Sequence, residues 1–176
     1  MKKNRYAYMT LKYGLYALVL CISYIIGASP ALPEYRPILV LPMVVALSLY
    51  EGEFVGGLYG ALAGLLLDYG AMTLFGINAM LLLILGCAAG LISLYLFQRS
   101  LRSSLILTAS MALLQGVTSF FLLYGMWRLT GSGVLLLTAF LPTLLLTTLF
   151  APVYYYGVGF IYRYFEPLCR PVWEMS

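Results

Sequence analysis

GEFVGGLYGALAGLLLD, residues 52–68, is an apolar segment in which glycine recurs at every fourth position. On a helix, residues four apart lie along one face. Glycine on such a face lets the backbone of a second helix approach closely, and this close approach drives helix association in lipid. The spacing therefore predicts a packing face, used either within the chain or for a partner helix, that consists of Gly52, Gly56, Gly60 and Gly64.

A second small-residue face is predicted in the next apolar run, residues 76–97. Small residues recur there at spacings that place them on one side of a helix. We expect this side to meet the glycine face of residues 52–68 and to have a packing role. The small residues of this run, which begins at Gly76, are Ala79, Gly86, Ala89, Gly90 and Ser93.

The composition of the whole chain requires a lipid environment. Of the 176 residues, 63% are hydrophobic and only 9% are charged, and the mean hydropathy is +0.97. A soluble domain carries roughly 25% charged residues. We therefore expect an all-α polytopic membrane protein with one integral-membrane domain, residues 1–176, and no soluble domain.

The hydrophobic runs predict six transmembrane helices, since each crossing needs roughly 20 apolar residues. The last run contains Pro142 and Pro152 and exceeds the hydrocarbon thickness, so we expect it to be kinked, broken or tilted. The first run also resembles a secretory signal peptide ending near Ala28 or Ala31, but the spans that follow favour a membrane helix. The predicted spans are 11–28, 37–50, 53–69, 76–97, 105–127 and 134–160.

The second and third spans are short, which leaves a re-entrant hairpin as the alternative to two crossings. Such a hairpin would bury Glu51 and Glu53 at its tip, and each charge at the bilayer centre costs about 2.5–3.5 kcal/mol on insertion scales. Two crossings are therefore favoured, with both acids at a cytoplasmic turn. Because acids suit the positive end of a helix dipole, we predict that both serve the start of the third span.

The basic residues predict that both termini are cytoplasmic. With six crossings, eight of the ten lie inside, which follows the positive-inside rule. Tyrosines 154–156, Tyr162 and Tyr164, with Trp173, are then expected to form an aromatic belt at the inner interface. Outside lie only Arg36 and Arg128, and inside lie Lys2, Lys3, Arg5, Lys12, Arg99, Arg102, Arg163 and Arg170.

Asp68 is the carboxylate that closes the apolar run of the third span. An ionisable residue at a helix end in a membrane is a functional candidate, but aspartate also accepts hydrogen bonds from backbone N–H groups. We predict that Asp68 caps the loop or helix that follows. The polar residues inside the spans are expected to form interhelical hydrogen bonds, and they are Asn78, Ser110, Gln115, Thr118 and Ser119.

The sequence offers no visible residues for catalysis. It has no histidine, the commonest acid–base catalyst and metal ligand, and its six acids are scattered. Neither a phosphate-binding glycine loop nor a nucleophile motif is present, and no basic patch for nucleic acid is found. The cysteines, Cys21, Cys87 and Cys169, lack metal-binding spacing. We expect neither an enzyme nor a metal or cofactor site.

Residues 36–91 resemble the MreD family of rod-shape-determining proteins. RPILVLP, residues 36–42, resembles the entry of the family's second span, and GGLYGALAGLLLDYGAMTLFGINAMLLLILGCAAGL, residues 56–91, resembles its core. In that core a Gly-rich helix ends in Leu-Asp, a short loop leads to Leu-Gly or Phe-Gly, and another small-residue helix follows. The matching positions are Gly56, Gly60, Gly64, Asp68, Gly76 and Gly90.

The resemblance implies a six-helix fold related to the substrate-binding subunits of energy-coupling-factor vitamin transporters. It also implies a non-enzymatic scaffold of cell-wall elongation in the bacterial inner membrane. The expected partners are membrane lipid and the transmembrane helix of MreC, and through MreC the elongation transpeptidase, the glycosyltransferase RodA and MreB filaments.

The main alternative is the substrate-binding subunit of a vitamin importer. Such a subunit needs a pocket with several convergent polar or aromatic groups near the outer face. A third interpretation, a membrane-embedded enzyme of lipid metabolism, lacks catalytic residues. The polar and aromatic residues predicted near the outer face are Glu34, Tyr35, Arg36, Asp68, Tyr69, Asn78, Trp127 and Arg128.

Overall fold

The computed structural model describes residues 2–29, 37–71, 76–95, 100–127 and 141–169. Within these ranges every regular element is an α-helix, so the predicted all-α class is confirmed there. The six helices are α1 (Lys2–Ala28), α2 (Val40–Glu51), α3 (Glu53–Ala71), α4 (Ile77–Tyr95), α5 (Leu101–Trp127) and α6 (Leu141–Cys169).

Helix α2 is the centre of the fold. Eleven of its twelve residues are buried, and its sequence, VLPMVVALSLYE, is apolar on nearly every side. A helix that is hydrophobic all round is a buried helix. At about 1.5 Å per residue, α2 is about 18 Å long, which is shorter than a hydrocarbon core of about 30 Å. Its neighbours, rather than lipid, therefore provide its environment.

The other five helices surround α2 in the order α1, α3, α4, α5 and α6, and α6 contacts α1 to close the ring. The contact between α3 and α4 is the most extensive, whereas those of α1 with α3 and of α4 with α5 are slight. Large apolar side chains point outward, as with Leu18, Leu83 and Leu149, which are 54%, 42% and 70% exposed. An apolar exterior of this kind suits contact with lipid tails.

Three helices in the described ranges are long and apolar enough to cross a membrane. They are Tyr6–Ala28, Ile77–Tyr95 and Leu141–Glu166. This finding agrees with the expected membrane protein.

The helix boundaries differ from the predicted spans at several ends. Helix α1 begins at Lys2 rather than at residue 11, and α5 begins at Leu101 rather than at 105. Helix α6 continues through Pro152 to Cys169, so of the kink, break or tilt expected for the last run, a break at Pro152 does not occur. Pro142 lies in its first turn, where the missing N–H has no helical partner to lose. The first part of the last predicted span, 134–140, lies outside the described ranges.

Candidate functional site

Glycines bring the backbones of α3 and α4 into direct contact. A Cβ at Gly60 would fall on the carbonyl group of Leu82, and a Cβ at Gly64 would fall on the backbone of Ala79. From the opposite side, a Cβ at Gly86 would meet the backbone of α3. Because no larger side chain fits at these positions, glycine is what permits the close packing that the four-residue spacing predicts.

Gly56 and Gly90 extend this interface toward the other end of the helix pair. A Cβ at Gly90 would fall on the backbone of Glu53, and a Cβ at Gly56 would fall on the side chain of Ser48 in α2. The Ser48 hydroxyl lies 3.0 Å from the carbonyl oxygen of Gly86, to which it can donate a hydrogen bond. Helices α2, α3 and α4 therefore meet at this point.

The assignment of Gly52 and Gly76 to the packing face is wrong. Both have positive φ angles, +93° and +100°, and a Cβ on either would meet nothing within 4 Å. Gly52 forms the turn between α2 and α3, and its N–H donates to the carbonyl of Ser48 at 3.1 Å. Gly76 directly precedes α4. These two glycines are present because the left-handed backbone region favours glycine.

The Asp68 carboxylate is fully buried in the last turns of α3 and accepts four hydrogen bonds from the start of α4. Oδ2 accepts from the backbone N–H groups of Gly76 at 2.9 Å and Ala79 at 3.3 Å. Oδ1 accepts from the backbone of Asn78 at 3.3 Å and from its side-chain amide at 2.8 Å. First-turn N–H groups have no partner within their own helix. The predicted capping role of Asp68 is therefore confirmed.

The glycine faces of α3 and α4 are turned toward each other and toward α2. Of the two uses predicted for the glycine face, packing within the chain is the one observed at Gly56, Gly60 and Gly64. A helix from a partner would need the place that α4 already occupies against Gly60 and Gly64. The glycine faces therefore stabilise the fold.

A buried ion pair joins α1 to the end of α2. The Lys12 Nζ lies 2.5 Å from the Glu51 Oε1, and each side chain is only 8% exposed. The Tyr16 hydroxyl donates to the same oxygen at 2.9 Å. The ring centroid of Tyr162, on α6, lies 4.8 Å from Nζ, within the range of a cation–π contact. We refer to Lys12, Tyr16, Glu51 and Tyr162 as the charge cluster.

Further tyrosines enclose the charge cluster. The rings of Tyr16 and Tyr59 pack edge to face with their centroids 6.2 Å apart. The ring of Tyr50 lies 5.3 Å from that of Tyr155 and 5.5 Å from that of Tyr162. Four helices, α1, α2, α3 and α6, therefore contribute aromatic side chains to the region around the ion pair.

The charge cluster was not predicted from the sequence. The expectation that Glu51 serves the dipole of the third span is wrong, because Glu51 is the last residue of α2 and pairs with Lys12. Glu53 does lie in the first turn of α3, as predicted. One feature of the sequence could have indicated the charge cluster: Lys12 lies within an apolar run, where an unpaired charge would be costly.

The tyrosines of the predicted aromatic belt differ in exposure, and not all of them can face an interface. Tyr156 and Tyr164 are 67% and 64% exposed, as a belt facing the membrane interface requires. Tyr155 is 9% exposed and belongs to the core. The Tyr154 hydroxyl donates to Ser23 Oγ of α1 at 2.8 Å, so this tyrosine connects two helices within the bundle.

A cavity of about 280 Å³ lies where α1, the start of α2 and the end of α3 meet. It is partly open, and its surface is mainly apolar. Ser23 on its wall is eleven residues from Lys12 on α1, which places the cavity about 16 Å from the charge cluster along that helix. We refer to it as the α1–α3 cavity, and it is lined by Ser23, Tyr24, Gly27, Ala28, Pro37, Ile38, Leu39, Val40, Leu67 and Gly70.

Of the arginines singled out as topology residues, Arg102 is described, and it is exposed in the first turn of α5. In the described part of the chain, no group of three His, Cys, Asp or Glu side chains is placed to hold a metal ion. Several residues of interest lie outside the described ranges, namely Glu34, Tyr35, Arg36, Arg99, Arg128 and Trp173.

No protein-family model, curated protein or solved structure matches this chain.

Proposed function

We propose that this protein is a six-span protein of the bacterial cytoplasmic membrane, with both termini in the cytoplasm, and that it acts as a non-enzymatic scaffold of the MreD type in cell-wall elongation. Its principal ligand in this proposal is the single transmembrane helix of MreC. Through MreC it joins the elongation transpeptidase, RodA and MreB filaments.

The observation that carries the proposal is that the residues resembling the MreD core form one structural unit. Three glycines allow α3 and α4 to pack at backbone distance, a fourth, Gly56, makes room for Ser48 of α2, and the connection between α3 and α4 is fixed by an aspartate that caps α4 and a glycine with positive φ. Each position therefore has a steric or hydrogen-bonding reason for its residue type. These positions are Gly56, Gly60, Gly64, Gly90, Asp68 and Gly76.

The state of the buried charges also favours a binding protein over an enzyme. The Asp68 carboxylate is saturated by four hydrogen bonds, and Lys12 and Glu51 neutralise each other. Charged groups that are fully hydrogen-bonded or paired stabilise a fold. A general acid or base must instead be within hydrogen-bond reach of the substrate proton that it transfers. A scaffold uses its outer surface instead.

The outer surface of the helix ring is where this proposal puts the MreC helix. Since α4 fills the glycine face of α3, a partner helix contacts large apolar side chains of the ring. Association in lipid then depends on van der Waals packing between such side chains.

Coexpression with MreC tests the proposal. We expect a one-to-one complex that is extracted in detergent and survives high salt, because apolar helix packing is insensitive to ionic screening. The matched control is MreC whose transmembrane helix is replaced by polyleucine, which should not be retained. The proposal would be contradicted if wild-type MreC were retained by this protein no better than the polyleucine control.

The α1–α3 cavity supports a second candidate, the substrate-binding subunit of a vitamin importer. A cavity of about 280 Å³ is close to the smallest ligand pockets, which begin at about 300 Å³. However, Asp68 and Asn78, two of the polar residues expected to line such a pocket, hydrogen-bond each other instead. Purification of the chain with a bound vitamin, and indifference to MreC, would establish this candidate.

A further inference from the structure

We propose that the α1–α3 cavity binds an acyl chain of a membrane phospholipid, and that the Tyr24 hydroxyl donates a hydrogen bond to the ester group of that lipid. This inference does not depend on the proposed role in cell-wall elongation.

The first argument is the position of the cavity between two helices that face outward. On α1, Ile25 and Ile26, which flank its lining residues, are 65% and 49% exposed. On α3, Leu65 and Tyr69 are 40% and 74% exposed. Large apolar side chains exposed beside a partly open cavity are in contact with lipid if the chain spans a membrane. A molecule that enters sideways between α1 and α3 then comes from the bilayer.

The second argument is the chemistry of the wall. Most of its surface is apolar, and none of the described residues that line it is charged. An apolar cavity of about 150 Å³ in a protein core stays dry and accepts benzene. The α1–α3 cavity is nearly twice that size and is partly open, so an apolar molecule can enter it and make dispersion contacts with its wall. An alkyl chain restores those contacts without having to give up hydrogen bonds to water.

The third argument is the Tyr24 hydroxyl on the cavity wall. Ser23 is already engaged, because its hydroxyl donates to the carbonyl of Val19 at 2.7 Å and accepts from Tyr154 at 2.8 Å. The Tyr24 hydroxyl has no hydrogen bond to another residue in the described part of the chain, and it lies beside Gly70, where a Cβ would fall on it. One donor at the edge of an apolar cavity suits a lipid, which has an ester group at one end and an alkyl chain beyond it. A water-soluble vitamin needs several convergent polar groups.

Phosphatidylglycerol with a photoreactive acyl chain provides the test, in nanodiscs that contain the full-length protein. We expect labelling of the cavity-lining residues to saturate as the lipid fraction rises. Labelling of exposed side chains, such as Leu149, should instead rise in proportion to that fraction.

Four substitutions test where the acyl chain binds. Gly27→Leu fills the cavity and should reduce labelling of its wall to the level of exposed positions, and Ala28→Leu does so if Gly27→Leu fails to fold. Gly14→Leu is the matched control, because Gly14 is on the same helix with nothing within 4 Å of a Cβ, and labelling should be unchanged. Tyr24→Phe removes only the hydroxyl and should weaken lipid retention by about two- to tenfold.

Labelling of the wall that does not saturate in the wild-type protein would overturn the proposal. So would labelling that survives both Gly27→Leu and Ala28→Leu. A water-soluble organic molecule that copurifies with the chain and is lost in Gly27→Leu would also overturn it, in favour of the vitamin-binding candidate.

Discussion

Lys12→Met removes one half of the buried ion pair and leaves the Glu51 carboxylate with the Tyr16 hydroxyl alone. The attraction across 2.5 Å is about 7 kcal/mol at an effective dielectric constant of about 20. Desolvation of the two groups offsets much of it. An uncompensated buried charge, however, costs about 3–5 kcal/mol. We expect Lys12→Met, and likewise Glu51→Gln, to lower the free energy of unfolding by about 3 kcal/mol or more.

The double variant Lys12→Met/Glu51→Gln tests the reason for that loss. Replacing both members of a buried pair by neutral groups of similar size is often close to neutral, so we expect a smaller loss than in either single variant. The measurement is unfolding by sodium dodecyl sulfate in mixed micelles, followed by circular dichroism. Arg102→Met, an exposed neutralisation on α5, is the control and should change stability by less than about 0.5 kcal/mol. Losses that simply add in the double variant would refute the ion-pair explanation.

Three further predictions concern packing, capping and topology. Gly60→Leu should abolish most folded protein, because its side chain would overlap the α4 backbone, whereas Leu62→Ala, at a position 43% exposed, should give a normal yield in membrane extracts. Asp68→Ala leaves the N–H groups at the start of α4 without their acceptor and should lower the unfolding free energy by about 2 kcal/mol or more; an unchanged value would exclude a capping role. After replacement of the native cysteines, Ser132→Cys should react with impermeant reagents from outside and Ser176→Cys from the cytoplasm, and the reverse pattern would overturn the six-span topology.

Local patterns predicted the parts of the fold that depend on a single helix or on one connection. The contact of Gly60 and Gly64 with α4 follows from their spacing, because the two residues share a face in any α-helix. The capping role of Asp68 is local in the same sense, since its partners begin eight residues later in the chain. Such features do not depend on how the rest of the bundle is arranged.

The charge cluster could not be predicted in that way. Tyr16 and Glu51 are 35 positions apart, and their contact depends on the placement of α1 against the end of α2. A lysine near the start of an apolar run also has an ordinary explanation as a cytoplasmic charge. Periodicity within each helix does not show whether Lys12 is a cytoplasmic surface charge or a member of a buried ion pair.

The expectation of interhelical hydrogen bonds was correct for Asn78, whose amide donates to α3. It was wrong for Ser110 and Thr118, whose hydroxyl groups donate to carbonyl groups of their own helix. Serine and threonine have this intrahelical option because a short hydroxyl side chain reaches the preceding turn. The Oε1 of Gln115 is buried and has no hydrogen-bond partner among the described residues. The side chain of Ser119 lies outside the described part of the chain.

The short central helix α2 has a consequence for biogenesis. Its neighbours on the far side of the ring, α5 and α6, are made after it, and α6 begins about 90 residues later, which takes roughly 5–20 s at ordinary rates of translation. During that interval α2 is about 18 Å long, lacks part of its final surroundings and cannot span the hydrocarbon core by itself. We therefore expect the nascent chain to remain beside the insertion machinery until α6 emerges, and chains truncated before residue 141 to be degraded rather than to accumulate as stable fragments.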